Sequence, residues 1–213
     1  MLNRHTFKNR QAWLQARGTS GIGASESAAV VGLSPWMTVT ELWELKTGRT
    51  EQKEVKNDAI ETGVALEPAL RTLYTAEHPD YSIEHHPFDM LYQEERPWLF
   101  ATLDGEIIAE DGRKGVLEIK TSTPRSRKDW ERWDGKIPDN YLCQCAHQLL
   151  ATGYDFVDLY AWLRDEVANE VIIRTYHMER ADMQEDMDWL LSKEEAFWDD
   201  VVTGSIPAMT LSL

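Results

Sequence analysis

The stretch 116-VLEIKTS-122 places two opposite charges, Glu118 and Lys120, inside an apolar segment. Alternate residues of a β-strand point to the same face of a sheet, so a strand here would hold the carboxylate and the ammonium side by side. Buried charges need a partner or a ligand, because removing them from water is costly. The segment therefore predicts a strand with a charge pair, for which one interpretation is functional. The alternative is structural: Glu118 pairs with an arginine, and Lys120 extends to solvent.

A second carboxylate, Asp104, lies in 101-ATLDGEI-107, which is predicted to form the preceding strand. Asp111-Gly112 is typical of a hairpin turn, so we expect Asp104 and Glu118 to meet at one end of the sheet. Adjacent carboxylates repel each other, and a hard divalent cation relieves that repulsion. Both carboxylates and a backbone carbonyl between Glu118 and Lys120 would form part of a Mg²⁺ shell. With Lys120 beside a metal-bound water, such a site suits phosphodiester hydrolysis.

Two predicted helices would bring further polar side chains to this end of the sheet. Glu67 lies at the border of the apolar stripe of a helix at about 59–77 and would reach the open end of the sheet. Gln144 and Gln148 are four residues apart on a helix at about 138–152, so they share one face. An amide on that face can orient the lysine or the water.

The order of predicted elements is helices, three strands, a helix, two strands and a helix. This order is typical of an α/β chain with a central mixed β-sheet flanked by helices. The predicted strands are 82–92, 98–109, 115–121, 155–163 and 170–178, and the predicted helices are 24–32, 38–47, 59–77, 138–152 and 179–202, with a polar loop at 49–58. We expect one domain over 1–213, with its core at about 12–178.

Composition narrows the class of protein. The net charge of −15 argues against a passive nucleic-acid coat protein, because binding to polyphosphate needs cations. The charge is uneven: residues 113–136 hold eight basic and four acidic side chains, and the rest of the chain holds 14 and 33. Apolar runs are too short to cross a membrane, and the first residues lack a signal-peptide core, so we expect a cytoplasmic location.

The order Glu67, Asp104 and 118-EIK-120 is similar to the nuclease signature of an acid followed by Asp and (Asp/Glu)-x-Lys. More specifically, the chain resembles the phage lambda exonuclease and YqaJ-type viral recombinase family. The stretches that carry the resemblance run in the family order over roughly residues 12–165: 21-GIGASESAAVVGLSPWMTVTELWELKTG-48, 62-TGVALEPALRTLY-74, 101-ATLDGEI-107, 117-LEIKTS-122 and 141-YLCQCAHQLLATG-153. The resemblance implies a restriction-endonuclease-like PD-(D/E)XK core.

The resemblance also implies an activity, namely a Mg²⁺-dependent 5′-to-3′ exonuclease that acts on linear double-stranded DNA and leaves 3′ overhangs for recombination. It implies two Mg²⁺ ions, for which Mn²⁺ substitutes. By position, it assigns the metal to Glu67, Asp104, Glu118 and the carbonyl of Ile119, activation of the water to Lys120, its support to Gln144, and a 5′-phosphate site to Arg17, Ser25 and Thr102. Glu94 matches a loosely placed outer acid. Where the family has a second glutamine this chain has Ala146, followed by His147 and Gln148, which leaves the supporting role open.

The resemblance further implies a homo-oligomeric ring, with a trimer favoured, and a single-strand-annealing recombinase as partner. A ring would let an acidic protomer turn its basic segment toward DNA. The candidate DNA contacts in that segment are Arg125, Arg127, Lys128, Arg132 and Lys136. Trp130 and Trp133 would either stack on bases or pack in the core. Two other functions stay open, a PD-(D/E)XK endonuclease and a non-catalytic protein that binds DNA ends.

Overall fold

The computed structural model of the protein describes residues 1–51 and 57–208. The strands are β1 Leu2–Thr6, β2 Ile22–Gly23, β3 Tyr81–Glu84, β4 Asp89–Gln93, β5 Leu99–Ala101, β6 Gly105–Ala109, β7 Lys114–Ser122, β8 Phe156–Asp165 and β9 Glu170–Glu179. The helices are α1 Arg10–Thr19, α2 Ser27–Val30 after a 3-10 turn at Ala24–Glu26, α3 Val39–Lys46, α4 Asp58–Glu77, α5 Arg127–Glu131, α6 Asp139–Thr152 and α7 Gln184–Thr203.

The strands form two mixed sheets. The larger sheet has the order β3-β6-β7-β8-β9, with β7 at its centre and the β7–β8 pair parallel. The smaller sheet has the order β1-β4-β5-β2, in which β2 and β5 are parallel. This arrangement with its flanking helices confirms the expected mixed α/β class. The second sheet was not expected.

The second sheet arises because two predicted strands are each divided. The segment 82–92 forms β3 and β4, and 98–109 forms β5 and β6, with one half of each in either sheet. Pro87 has no N–H for a ladder, and Phe88 adopts a left-handed φ of 63°, so the chain leaves one sheet before it enters the other. Consequently Asp104 lies in the loop before β6 and not on a strand.

The predicted hairpin between β6 and β7 is confirmed. Gly112 provides the left-handed residue of the turn with a φ of 84°. The ladder pairs Ile108 with Lys114 at one end and Gly105 with Leu117 at the other. Because β7 continues to Ser122, its last residues have no partner on the β6 side. This bare edge of β7 lies directly beside Asp104.

Helices cover both faces of the larger sheet. On one face, α4 buries Leu70 and Tyr74 against Leu117 and Tyr160. The opposite face packs against α6, and α7 packs in turn on α6, with residues of both helices in the largest apolar cluster. Gly63 lets α4 approach β7 closely, since a Cβ there would lie 2.9 Å from the hydroxyl of Thr121.

Most predicted helices are present with small shifts in their ends. The predicted helix 24–32 is only the 3-10 turn and α2, and the last helix begins at Gln184 because β9 runs on to Glu179. The elements β1 and α1 had not been predicted. Part of the predicted loop 49–58, residues 52–56, lies outside the described residues, and Asp58 already belongs to α4. Within the described ranges, every helix is too short or too polar to cross a membrane.

Candidate active site

A cleft of about 660 Å³ opens at the bare edge of β7. It is lined by all nine residues that the sequence assigned to metal, catalysis or phosphate: Arg17, Ser25, Glu67, Thr102, Asp104, Glu118, Ile119, Lys120 and Gln144. They come from α1, the 3-10 turn, α4, the β5–β6 loop, β7 and α6. The fold therefore brings together residues that are separated by up to 127 positions along the chain.

Glu118 and Lys120 form the expected pair on one face of β7. Lys120 Nζ lies 2.6 Å from Glu118 Oε1, and Glu118 is only 2% exposed. Burial disfavours the charged lysine, but the carboxylates of Glu118 and Asp104 outweigh it and raise the pKa of Lys120. Lys120 is therefore an ammonium at neutral pH. The alternative, in which Glu118 pairs with an arginine while Lys120 extends to solvent, is wrong.

Two amides on α6 hold the carboxylate of Glu118. Gln144 Nε2 donates to Oε1 at 2.6 Å, and Gln148 Nε2 donates to Oε2 at 2.5 Å. Gln148 was not among the assigned site residues, although its spacing of four from Gln144 was the signal. It provides a second amide in a helix that has Ala146 where the family has its second glutamine.

Asp104 faces the peptide group of Ile119. Its Oδ2 accepts the N–H of Ile119 at 2.8 Å. Residues of an antiparallel pair exchange both N–H and C=O with one partner, so both groups of a residue point to the same edge of its strand. The carbonyl of Ile119 therefore points to the bare edge as well. Burial and the carboxylates of Glu118 and Glu67 raise the pKa of Asp104 well above its usual range.

Arg71, one turn after Glu67 on α4, links two of the predicted metal ligands. Its Nη2 donates to Glu67 Oε1 at 2.5 Å, and its Nε donates to the carbonyl of Asp104 at 2.6 Å. The guanidinium thereby ties α4 to the β5–β6 loop. Sequence analysis missed Arg71, and only its spacing of four from Glu67 could have indicated it.

The oxygen donors of the cleft are of the chemical type that a hard divalent cation prefers, although the carboxylate oxygens of Glu67, Asp104 and Glu118 do not all lie within 4.8 Å of one another. Burial and the neighbouring carboxylates of Glu118 and Glu67 raise the pKa of Asp104, so a cation there would relieve the repulsion between these carboxylates. The carbonyl of Ile119 is a further oxygen donor. The carboxylate of Glu67 contacts Arg71, and that of Glu118 contacts Lys120.

Elsewhere in the described residues, the ligand atoms of Glu84, His86 and Glu106 lie within 4.8 Å of one another and could hold a metal ion. This group lies outside the cleft. Its Glu106 carboxylate already binds Arg4 and Lys114, which lowers its value as a ligand.

Arg17 and Ser25 form one wall of the cleft. Arg17 Nη2 donates to Ser25 Oγ at 3.0 Å, and its guanidinium lies 4.6 Å from the centre of the Trp13 ring. Trp13 Nε1 donates to Thr102 Oγ1 at 3.2 Å, and that hydroxyl donates to the carbonyl of Asp89 at 2.8 Å. Thr102 thus orients Trp13, and the hydroxyl hydrogen of Thr102 is already donated to the carbonyl of Asp89.

A buried lysine supports this wall. Lys46 Nζ donates to the carbonyl of Arg17 at 2.9 Å and lies 2.7 Å from Glu26 Oε2. The same oxygen of Glu26 accepts the N–H of Gly23 at 2.8 Å. Nothing in the sequence indicated Lys46, because its partners lie on other elements.

The part of the basic segment that follows β7 does not line the cleft. Its five candidate DNA contacts are exposed, and Arg127 pairs with Glu131 within α5. Trp133 is buried against Tyr141 and Tyr176, and Trp130 packs against the same cluster, which supports the packing interpretation of both.

Two other residues noted from the sequence also lie apart from the cleft. Glu94 is an exposed residue beside the N-terminal amine. His147 is fully buried, with its Nδ1 2.7 Å from Glu194 on α7.

Comparison with known proteins gives relatives of two kinds. The curated Bacillus subtilis protein "Uncharacterized protein YqaJ" is 29% identical over 215 residues, which is 98% of this chain and 62% of that relative's length. An alkaline exonuclease of Laribacter hongkongensis, LHK-Exo, has a similar structure with a TM-score of 0.69, 22% identity, and coverage of 92% of this chain and 94% of that one. A phage-related exonuclease of Haemophilus somnus matches with a TM-score of 0.57, 14% identity, and coverage of 86% and 96%.

The two structural matches have identities below 25%, so they establish the fold. The model of the YqaJ-like viral recombinase domain matches residues 12–155, which is more than half of the sequence and includes every residue of the cleft. The chain therefore belongs to the YqaJ-like viral recombinase family.

Proposed function

We propose that the protein is a Mg²⁺-dependent exonuclease that degrades one strand of linear double-stranded DNA from a 5′-phosphorylated end. The observation that carries the proposal is the meeting of Glu67, Asp104, Glu118 and Lys120 in one cleft with Arg17 and Ser25. Two relatives of this fold are named exonucleases, and one of them was solved as LHK-Exo in complex with dAMP. A nucleotide is a product that this activity would release.

The proposed metal residues are Glu67, Asp104, Glu118 and the carbonyl of Ile119. A divalent ion held there supplies Lewis-acid stabilisation of the phosphodiester and lowers the pKa of a water. Mn²⁺, which shares the preference for oxygen ligands, would substitute for Mg²⁺.

The side chains around these ligands have distinct proposed roles. Lys120 activates the attacking water, where its charge helps to stabilise hydroxide, or holds the phosphate. Gln144 and Gln148 fix the orientation of Glu118. Arg71 holds Glu67 and Asp104 in position relative to each other.

The proposed 5′-phosphate site consists of Arg17 and Ser25. A terminal phosphate carries close to two negative charges, whereas an internal phosphodiester carries one, so the arginine favours ends that bear a phosphate. Arg17 lies close enough to the metal residues for the carboxylates of Glu118 and Asp104 to oppose the lowering of its pKa by burial. Thr102 acts in this site through Trp13.

We further propose that the whole chain acts as a single nuclease unit in the cytoplasm, within a homo-oligomeric ring for which a trimer is favoured. In such a ring the exposed basic side chains Arg125, Arg127, Lys128, Arg132 and Lys136 would face the duplex. The 3′ overhangs would pass to a single-strand-annealing recombinase. Support for these points is the family membership and the charge contrast between this segment and the rest of the chain.

The test is digestion of three DNA substrates with Mg²⁺: linear duplex with 5′-phosphate, the same duplex with 5′-hydroxyl, and a closed circle. The proposal expects rapid loss of the first, slower loss of the second and no cutting of the circle. Cutting of the circle would instead identify an endonuclease. Binding of ends without metal-dependent turnover would identify a non-catalytic end-binding protein.

A further inference from the structure

Trp36 lies on the lining of the cleft with 71% of its surface exposed. Tryptophan is among the costliest residues to leave in water, so a largely exposed indole at a functional site suggests a ligand. Ile60 and Val64 on α4 are also exposed and line the same cleft. The cleft therefore combines a charged floor, formed by Lys120 and its carboxylates, with exposed apolar side chains.

The backbone around Trp36 is held by hydrogen bonds, although most of its side chain is exposed. Ser34 Oγ accepts the N–H groups of Trp36 and Met37, at 3.2 and 3.3 Å. Thr38 then caps α3 through a reciprocal bond with Glu41. An indole on a fixed backbone loses little freedom when it binds a flat ligand.

An aromatic path connects Trp36 to the reacting groups. The ring of Tyr141 lies 6.3 Å from that of Trp36, and Lys120 Nζ lies 5.0 Å from the centre of the Tyr141 ring. The distance from the proposed reaction centre to Trp36 is therefore spanned by one side chain. A nucleotide whose phosphate lies at Lys120 would have its base in this part of the cleft.

We propose that Trp36 binds a nucleobase of the DNA strand entering the cleft, by stacking on the face of the base. The proposal rests on the nuclease function proposed above. A stacking site of this kind has no sequence preference, since every base has a flat face, and it contributes about 5- to 150-fold in affinity per base. The polar floor of the cleft receives the phosphates and Trp36 receives the base.

The experiment uses 5′-phosphorylated duplexes in which the first or the second nucleotide of the digested strand is replaced by an abasic analogue. Release of the first nucleotide is measured under single-turnover conditions. We expect the wild-type protein to prefer the intact strand at one of these positions by about 5- to 150-fold. Trp36→Ala should reduce this preference to within about twofold, and Trp36→Phe, which keeps a smaller aromatic face, should retain most of it.

Trp189 provides the matched control, because it is 49% exposed on α7 and does not line the cleft. Trp189→Ala should leave both rates unchanged. A Trp36→Ala protein that keeps the wild-type preference, or that loses activity equally on all substrates, would overturn the proposal. A change in sedimentation of Trp36→Ala with an unaltered preference would overturn it too, since Trp36 would then be a contact between protein chains.

Failure of the proposed function has a different signature. A protein that is not a nuclease would digest none of the substrates, whichever residue stands at position 36. Binding of the same oligonucleotides without metal, followed by fluorescence anisotropy, still tests Trp36 in that case. Weaker binding of intact strands by Trp36→Ala, with equal binding of abasic strands, would support the stacking site, and identical binding of both by the two proteins would exclude it.

Discussion

Two buried glutamates on neighbouring strands, Glu118 on β7 and Glu106 on β6, are 2% and 3% exposed but have opposite surroundings. Glu106 binds Arg4, Lys114 and the hydroxyl of Tyr154, and these partners lower its pKa to about 2 despite the opposing effect of burial. Its carboxylate is thus paired with two cations, of which Arg4 also binds Asp89.

Glu118 has one cation, Lys120, and two neutral amides, and it lies beside the further carboxylate of Asp104. The amides fix its position without cancelling its charge. The comparison shows that burial of a carboxylate alone does not indicate a functional site. Burial of a carboxylate beside too few cations to neutralise the local negative charge does indicate one. The following substitutions test this contrast.

The largest effect is expected for Asp104→Ala, which removes a proposed metal ligand while the sheets keep their ladders. Loss of Lewis-acid stabilisation should lower the rate of digestion by about a thousandfold or more. Digestion of linear duplex with Mg²⁺ measures the rate, and circular dichroism checks the fold. A rate within about tenfold of the wild type would show that Asp104 holds no essential metal.

A smaller loss is expected for Arg71→Lys, because lysine cannot bridge Glu67 and the carbonyl of Asp104 in the planar geometry of a guanidinium. Loosened outer contacts weaken metal binding by about 10- to 100-fold. Calorimetric titration with Mn²⁺ measures the affinity directly. Arg113→Lys, an exposed control, should bind like the wild type, and equal affinities for all three proteins would contradict a positioning role.

Gln148→Leu should have an effect of similar size, on turnover and not on metal affinity, because it removes one of the two amides that hold Glu118 and leaves Oε2 without its bond. A lost hydrogen bond to a charged group costs about 1.5–3 kcal/mol, so we expect roughly a tenfold to hundredfold drop in kcat with KM little changed. Gln93→Leu, which affects an amide bound to Thr152 outside the cleft, serves as control. A rise in KM alone would argue that Gln148 contacts substrate.

Glu106→Gln should leave activity nearly intact and change the dependence of stability on pH. The folded pKa of Glu106 is lowered from 4.5 to about 2, so its contribution to stability is present above pH 4.5 and is lost as the pH falls toward 2. We expect the variant to unfold at lower temperature than the wild type at pH 6, with the gap closing toward pH 2. A constant gap from pH 6 to pH 2, measured by calorimetry, would mean that the carboxylate is not ionically stabilised.

Local spacing was enough to predict the centre of this site. Period two placed Glu118 and Lys120 together, and the hairpin turn placed Asp104 beside them. Arg71 and Gln148 each lie four residues, about one helical turn, after a predicted site residue. Their hydrogen-bond partners could be identified only from the three-dimensional structure.

What escaped prediction depends on contacts between distant segments. The strand β1 pairs with β4, about 85 residues later, and Lys46 reaches Arg17 across the fold. The chain changes from one sheet to the other at Phe88, whose left-handed backbone conformation cannot be predicted from the presence of a phenylalanine. The sequence also did not predict that Trp36 is exposed and Trp133 buried, since the residues next to each tryptophan do not distinguish the two environments.

The bare edge of β7 determines which residues are compatible with the candidate site at position 119. At position 119 the cleft uses the peptide group, while the side chain packs beneath α4 with Leu70 and Tyr74. The proposed chemistry therefore places no requirement on the side chain of residue 119, whereas packing requires it to be apolar and of similar bulk. Proline is apolar but would also be excluded, since it lacks the N–H that Asp104 accepts. We expect related sequences to have valine, leucine or isoleucine at this position, and to keep the charged residues that correspond to Glu118 and Lys120.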